Sequence, residues 1–182
     1  MGTSHSMPAL QTVKRVDVSR LFGAWFVIAV MPTPFERGAH SAMEVYTRGA
    51  SSGQVAVDFT FTKDSFDGPL KSIPQSGSGW DGEHPANWKV SPFWPLKMPY
   101  LVIDASDPLH LDAEDAYFVV GYPSRAYVWV MARKPEIDEA AYTGITERLV
   151  EKHSYPKGLP GLIKVPHKWT RGPTGDWRRG TK

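Results

Sequence analysis

Apolar and polar residues alternate along most of this chain. The clearest example is the run from Val55 to Phe61, where apolar residues occupy every second position and Asp58 and Thr60 lie between them. Successive side chains of a β-strand point to opposite faces, so this pattern predicts a strand with one buried face and one wet face. Further strands are predicted near residues 25–30, 41–48, 70–80, 88–93, 100–103, 117–120, 127–132 and 162–166.

One late segment has a different period. Apolar residues between Ile137 and Val150 recur near helical spacing, Asp138 is suited to cap a first turn, and Pro135 ends the preceding strand. Many short strands at meander spacing and one helix predict an all-β fold. The expected architecture is an eight-stranded antiparallel up-and-down barrel with one C-terminal α-helix packed outside it. A barrel of this size is filled by side chains or holds one small ligand.

Composition removes several classes of protein. The 182 residues suit one domain, and a net charge of +2 is far from the basic field of a dedicated nucleic-acid binder. The chain has no Cys, which excludes disulfides, thiolate metal sites and a Cys nucleophile. It also has no apolar run of about 18 residues, so no transmembrane helix is expected. Six histidines show no metal-ligand spacing, and no metal site is predicted.

The chain divides into three parts. Residues 1–13 are expected to be a flexible start, with 1–7 typical of an expression-tag remnant. Residues 14–168 form the predicted domain. Residues 169–182, rich in Gly, Pro and Arg, are expected to be a disordered basic tail. The compartment is not determined: a periplasmic or membrane-associated location follows if a leader was removed, and a cytoplasmic one otherwise.

Several motifs occur in an order that resembles one known family. Residues 16–26 read VDVSRLFGAWF, 34–38 read PFERG, 88–93 read WKVSPF, and 121–125 read GYPSR, with Arg133 closing the strand that follows. Together they resemble the lipocalins, specifically the bacterial lipocalin and plant temperature-induced lipocalin branch, which is apolipoprotein D-like. The similarity covers about residues 14–168.

The sequence departs from the family pattern at several positions. Phe26 stands where the family usually has Tyr, Asp115 stands where an aromatic residue is expected, and residues 100–112 are longer than the family pattern. The family's lipid-bearing Cys is absent, so its membrane anchor is not carried over. The resemblance implies a calyx that binds a small hydrophobic guest such as a fatty acid, a lysophospholipid or a retinoid.

Particular residues are candidates for this role. Trp25 and Arg133 are expected to stack and close one end of the barrel, a contact of roughly 0.5–2 kcal/mol. Val57, Phe59, Trp129 and Met131 share the inward parity of that pair, and Trp80, Trp88 and Phe93 are expected near the mouth. The predicted ligand-binding set is therefore Trp25, Val57, Phe59, Trp80, Trp88, Phe93, Trp129 and Met131.

The predicted function is binding, storage or transport of a small hydrophobic ligand, with a fatty acid or lysophospholipid as partner and no catalytic residues. One alternative is a lipocalin-fold enzyme, an isomerase, a cyclase or a haem-dependent catalyst, with His84 or His110 as the haem ligand. Two converging polar groups of shifted pKa in the cavity would favour an enzyme. Another alternative is peripheral membrane contact or homodimerisation through the 94–99 loop and the basic tail.

Overall fold

Eight antiparallel strands form a closed barrel in the structure, a computed structural model that describes residues 7–80, 82–92 and 95–180. Phe93 of the predicted mouth and Trp94 of the predicted membrane loop lie outside the described residues. The barrel strands are β1 (Gly23–Met31), β2 (Ala39–Arg48), β3 (Gln54–Lys63), β4 (Leu70–Ser78), β5 (Asn87–Ser91), β6 (Met98–Ala105), β7 (Tyr117–Gly121) and β8 (Val128–Ala132).

Each strand pairs with the next one in the chain, as the meander spacing predicted. The barrel closes because β1 pairs with both β8 and β2, with Trp25 opposite Glu44 on β2. β2 pairs only with the first half of β1, and the short strand β9 (Ile163–Lys164) pairs with the second half. The prediction of an eight-stranded up-and-down barrel is confirmed.

The barrel wall is apolar on both faces along β1, which explains the dense apolar run in the sequence. Its inward residues, such as Val27, join the interior cluster, whereas Phe26 and Ile28 belong to a second cluster outside the barrel. The helix α1 (Glu139–Glu151) covers that outer cluster with Ile145 and Leu149. Burial on both faces removes the alternation that marks a half-exposed strand.

The helix begins where the sequence indicated, after Asp138, and it ends at Glu151, four residues before the 155–158 segment that was expected to end it. The Asp138 carboxylate accepts a hydrogen bond of 3.0 Å from the backbone N–H of Ala141 and so caps the first turn. Arg148 then ties the helix to the barrel through a 2.8 Å hydrogen bond to Asp104 on β6. Across the described residues, no helix is long and apolar enough to cross a membrane.

One end of the barrel is closed by the predicted stack. The Arg133 guanidinium carbon lies 3.8 Å from the centroid of the Trp25 ring, and the indole N–H donates a 2.7 Å hydrogen bond to the Leu21 carbonyl. The guanidinium also donates to four backbone carbonyl oxygens, at Leu111, Ala24, Arg20 and Phe22. Burial lowers the pKa of Arg133 to about 10, so the group is still protonated at neutral pH.

The first residue of β1 is a glycine because the Arg133 side chain lies close to it. Gly23 has φ +105°, a conformation that L side chains rarely adopt, and a Cβ there would lie 3.1 Å from an Arg133 guanidinium nitrogen. The Gly-x-Trp motif therefore places the indole and leaves room for its cationic partner.

The long segment after β6 covers the closed end instead of extending a strand. β6 ends at Ala105, Leu109 is exposed in a turn, and Leu111 is fully buried. Arg20 holds this segment down through 2.8 Å hydrogen bonds to Asp112. The extra residues in the 100–112 region thus lie at the closed end of the barrel and not at its rim.

The tail differs from the disordered segment that its composition suggested. Strands β10 (Trp169–Arg171) and β11 (Trp177–Arg179) form a hairpin, and both of its indoles contact Phe26 edge-on, at 5.1 Å and 5.5 Å between ring centroids. The basic residues of the hairpin also have partners: Arg171 pairs with Glu114, Arg178 with Asp176, and Arg179 lies over Trp169. The composition of the segment did not show that two tryptophans eight residues apart share one apolar target.

We expect Arg133→Ala to lower the free energy of unfolding by about 3 kcal/mol, because it removes the stack and the donors to four carbonyls. Urea unfolding followed by tryptophan fluorescence measures the loss. The matched control is Lys134→Ala, which removes a half-exposed ion pair with Glu114 and should cost under about 1 kcal/mol. Equal stability of the two variants would contradict the role given to Arg133.

We expect Trp177→Ala to destabilise the protein by about 2 kcal/mol, because it uncovers the outer face of Phe26. Thermal unfolding followed by circular dichroism tests this expectation. Thr170→Ala changes an exposed position of the same hairpin and serves as the control. A melting curve of Trp177→Ala that overlays that of the unsubstituted protein would show that the hairpin does not stabilise the barrel.

Candidate ligand-binding cavity

The barrel encloses a cavity of about 420 Å³ that opens at the end opposite Trp25. In an up-and-down barrel alternate loops lie at the same end, and the β3–β4 loop is also at the mouth end. The loops that contribute to the lining of the cavity there are β1–β2, β5–β6 and β7–β8. Residues from each of these loops line the opening, among them Phe35, Leu96 and Tyr122. Phe35 is 61% exposed and Leu96 is 40% exposed, so the rim presents apolar side chains to solvent.

Below the rim the wall is apolar. Val57 and Phe59 on β3, Ile73 on β4 and Met131 on β8 point inward and line the cavity. The structure thus places Val57, Phe59, Trp129 and Met131 along the cavity, on the inward side that their parity indicated. Contact of these residues with a ligand remains a prediction.

Trp25 lies beneath the cavity and does not line it. Its ring packs edge-on against Phe118, with 4.5 Å between centroids, and its other face meets Arg133. The structure places Trp25 in the layer that closes the barrel, and it does not place Trp25 among the residues that line the cavity, where the predicted ligand-binding set had it. A ligand would meet the residues above this layer.

The prediction that put Trp80 and Trp88 near the mouth is wrong. β4 runs toward the closed end, so Trp80 lies in the loop beyond it and packs edge-on against Phe22 at 6.0 Å. Trp88 is buried on β5, where its ring lies 4.1 Å from that of Tyr100. Gly77 makes room for this indole, since a Cβ there would approach Trp88 to 2.2 Å. The local density of aromatic residues did not reveal the strand direction.

The cavity also contains a carboxyl in a hydrogen-bonded chain. The Tyr46 hydroxyl donates a short hydrogen bond to Glu44 Oε2, and the hydroxyls of Tyr46 and Tyr100 lie 2.7 Å apart. All three side chains are buried, and all three line the cavity. Burial raises the pKa of Glu44 to about 7, with the Tyr46 hydrogen bond acting against the shift and the negative charge of Glu36 adding to it.

A second carboxyl lies at the rim and is fully engaged. Glu36 Oε1 accepts a 2.9 Å hydrogen bond from the Trp129 indole, and Oε2 accepts 2.8 Å bonds from the backbone N–H and the hydroxyl of Thr33. Burial raises the pKa of Glu36, and these donors act against the shift. The arrangement fixes the β1–β2 loop to β8 and holds the Trp129 ring in the wall.

The charge-bearing residues described in the cavity lining are all acidic. Among the described lining residues there are two carboxyls, Glu36 and Glu44, and no Lys, Arg or His. His84 and His110, the residues considered for haem, lie in the β4–β5 and β6–β7 loops at the closed end. No cluster of three potential metal ligands occurs within the part of the chain that the structure describes.

The polar floor of the cavity, formed by Glu44, Tyr46 and Tyr100, was not predicted from the sequence. A strand was predicted near residues 41–48 without an inward face, and the structure turns Ala42, Glu44 and Tyr46 inward. The signal was available in the pairing of two strands: Glu44 lies opposite Trp25, and directly paired residues share a face. Tyr100 was placed on a strand but not assigned a face, because the run around it is apolar on both sides.

Comparison with known proteins agrees with this architecture. The family model described as a lipocalin-like domain matches residues 16–159. Temperature-induced lipocalin-1 of Arabidopsis thaliana is 25% identical over 149 residues, covering 79% of this chain and 76% of that protein. Outer membrane lipoprotein Blc of Escherichia coli K12 is 28% identical over 127 residues, covering 70% of this chain and 67% of that protein.

Solved structures share the fold at low sequence identity. Insecticyanin from the tobacco hornworm Manduca sexta superposes with a TM-score of 0.62 and 13% identity, covering 88% of this chain and 86% of that one. Lobster apocrustacyanin A1 gives a TM-score of 0.57 at 12% identity, with 90% and 94% covered. The matched domain, the closed barrel and the single outer helix lead to one conclusion: the chain belongs to the lipocalin family.

Proposed function

We propose that the protein binds a fatty acid, a lysophospholipid or a similar amphiphile in the barrel cavity and stores or transports it. Lipocalins generally bind small hydrophobic ligands. The observation that carries the proposal is the cavity of about 420 Å³ with an apolar wall and one open end. Binding sites for small molecules in proteins typically begin at about 300 Å³. The proposed binding uses no metal and no haem.

The apolar wall supplies the driving force. Each methylene removed from water contributes about 0.8 kcal/mol, so ten methylenes of an acyl chain contribute about 8 kcal/mol before the costs of association. Val57, Phe59 and Ile73 form one side of the path that such a chain would follow, and Met131 forms the other. Met adapts to irregular ligand shapes because its side chain is unbranched and flexible.

The rim is suited to hold the junction between an acyl chain and its polar head group. Tyr122 and Tyr127 lie at the mouth with 5.3 Å between ring centroids, and Tyr127 continues to Trp129 at 6.1 Å. Tyrosine and tryptophan are favoured where one end of a side chain is apolar and the other is wet. An acyl chain would enter between these rings, with its head group left at the solvent.

A second candidate is acid–base catalysis in the same cavity, because Glu36 and Glu44 both have raised pKa values and both line it. Three donors hold Glu36 in the wall, whereas Glu44 faces the interior. Because three donors hold Glu36, only Glu44 of the two carboxyls is placed to exchange a proton with a guest, and this favours recognition over turnover. Native mass spectrometry followed by extraction separates the two: a guest recovered unaltered supports carriage, and accumulation of a product supports catalysis.

We expect Phe59→Asp to weaken binding of a fatty acid or a lysophospholipid at least tenfold, because it places an unpaired charge on the apolar wall. Displacement of a fluorescent lipid probe measures the affinity. Ala56→Asp introduces the same charge on the exposed face of β3 and is the matched control. Circular dichroism establishes that both variants keep the barrel.

A second variant keeps the test decisive if Phe59→Asp does not fold. Ile73→Trp adds volume inside the cavity without adding charge, and Ile73 is only half-buried, so the barrel has room for the larger ring. We expect this variant to reduce the number of bound acyl chains in native mass spectrometry. Unchanged acyl-chain binding by a folded Phe59→Asp or Ile73→Trp variant would refute the proposed site.

A further inference from the structure

We propose that the floor of the cavity recognises the ammonium group of a hydrophobic amine, through Glu44 and Tyr100. This inference rests on the proposed binding function and adds the chemistry of the guest's inner end. It is carried by the direction of the hydrogen-bonded chain, by the absence of Lys, Arg and His among the described lining residues, and by the position of Glu44 opposite Trp25, the residue that closes the barrel.

The hydrogen-bonded chain at the floor ends in acceptors. An ionised carboxylate only accepts hydrogen bonds, so Tyr46 donates to Glu44, and Tyr100 in turn donates to Tyr46. Within the described residues no group donates to Glu44 Oε1, and the Tyr100 hydroxyl oxygen keeps its own acceptor capacity. A guest that supplies hydrogen-bond donors completes this chain. An ammonium group supplies three donors and a positive charge.

The charges around Glu44 also favour a cation. The groups on the neighbouring elements that act on it are Tyr46 on its own strand, Tyr100 on β6 and the Glu36 carboxyl at the rim. Its directly paired neighbours, Trp25 on β1 and Phe59 on β3, carry no charge. Arg133, the cation that stacks on the Trp25 ring, donates its hydrogen bonds to backbone carbonyls and not to Glu44.

A buried carboxyl without a cationic partner couples guest binding to pH. Burial holds the pKa of Glu44 near 7, so the group is mostly ionised at pH 8 and mostly protonated at pH 5.5. An ammonium group at the floor favours the ionised form, so binding of an amine releases a proton. The affinity for an amine therefore falls as the pH drops below 7, while the affinity for a neutral guest stays constant.

The same geometry sets the orientation of an acidic guest. A fatty acid that entered carboxylate-first would place its anion beside Glu44, where two like charges repel in a buried site. Fatty acids and lysophospholipids therefore enter with the acyl chain inward and leave the head group at the rim. An amine of similar length enters with the charged end inward.

The experiment compares three guests of equal chain length: decylamine, decanol and decanoate. Displacement of the neutral probe N-phenyl-1-naphthylamine gives their affinities at pH 8 and pH 5.5. We expect decylamine to bind about tenfold tighter than decanol at pH 8, and decanoate to bind weaker than both. We expect the advantage of the amine to disappear at pH 5.5, while its own ammonium stays protonated.

The matched variants are Glu44→Gln and Asp64→Asn, which each remove one carboxyl charge, the first inside the cavity and the second on the exposed β3–β4 loop. We expect Glu44→Gln to abolish the preference for decylamine over decanol at pH 8. We expect Asp64→Asn to keep the preference, which separates recognition at the floor from a general negative potential.

The possible results separate this inference from the proposed function. Equal affinities of decylamine and decanol at pH 8, or a preference that survives in Glu44→Gln, overturn the amine inference and leave hydrophobic binding intact. Failure of all three guests to displace the probe overturns both. The pH profile of the unsubstituted protein decides the question by itself if Glu44→Gln does not fold.

Discussion

The contact between the Trp25 indole and the Arg133 guanidinium is the constraint on which the cavity depends. A barrel with two open ends would be a channel, and water inside it would cancel the gain from burying an apolar guest. Here the cation lies 3.8 Å from the ring centroid and donates to four carbonyls, which join the segment before β1, the start of β1 and the 106–116 segment. One half-buried residue thus ties together three segments at the closed end.

Above this seal, the cavity combines two features with opposite energetic effects. Covering a hydrophobic guest with the apolar wall is favourable in free energy, and the wall distinguishes little between one hydrophobic guest and another. The Glu44–Tyr46–Tyr100 chain costs free energy to bury, and its carboxyl has no cationic partner among the described residues. A buried polar chain that costs stability has its most direct explanation in recognition, because it rejects guests that cannot complete its hydrogen bonds.

Apolar residues on the outside of the barrel are also covered. β1 is apolar on both faces, so its outer residues need a cover, and α1 supplies most of it with Ile145 and Leu149. The hairpin of β10 and β11 adds two indoles around Phe26. These outer contacts are independent of the cavity, so ligand affinity and barrel stability respond to different substitutions.

The sequence by itself determined the fold, the closing stack and the inward set of β3 and β8. Each depends on local periodicity or on motif order, and the family resemblance, over about residues 14–168, includes the span 16–159 that the lipocalin-like domain matches. Strand direction at Trp80 and Trp88, the ordered tail and the polar floor were decided only by the tertiary structure. The reason is physical: these features join residues that are far apart in the chain, such as Tyr46 and Tyr100, and no local pattern records which distant side chains share a face.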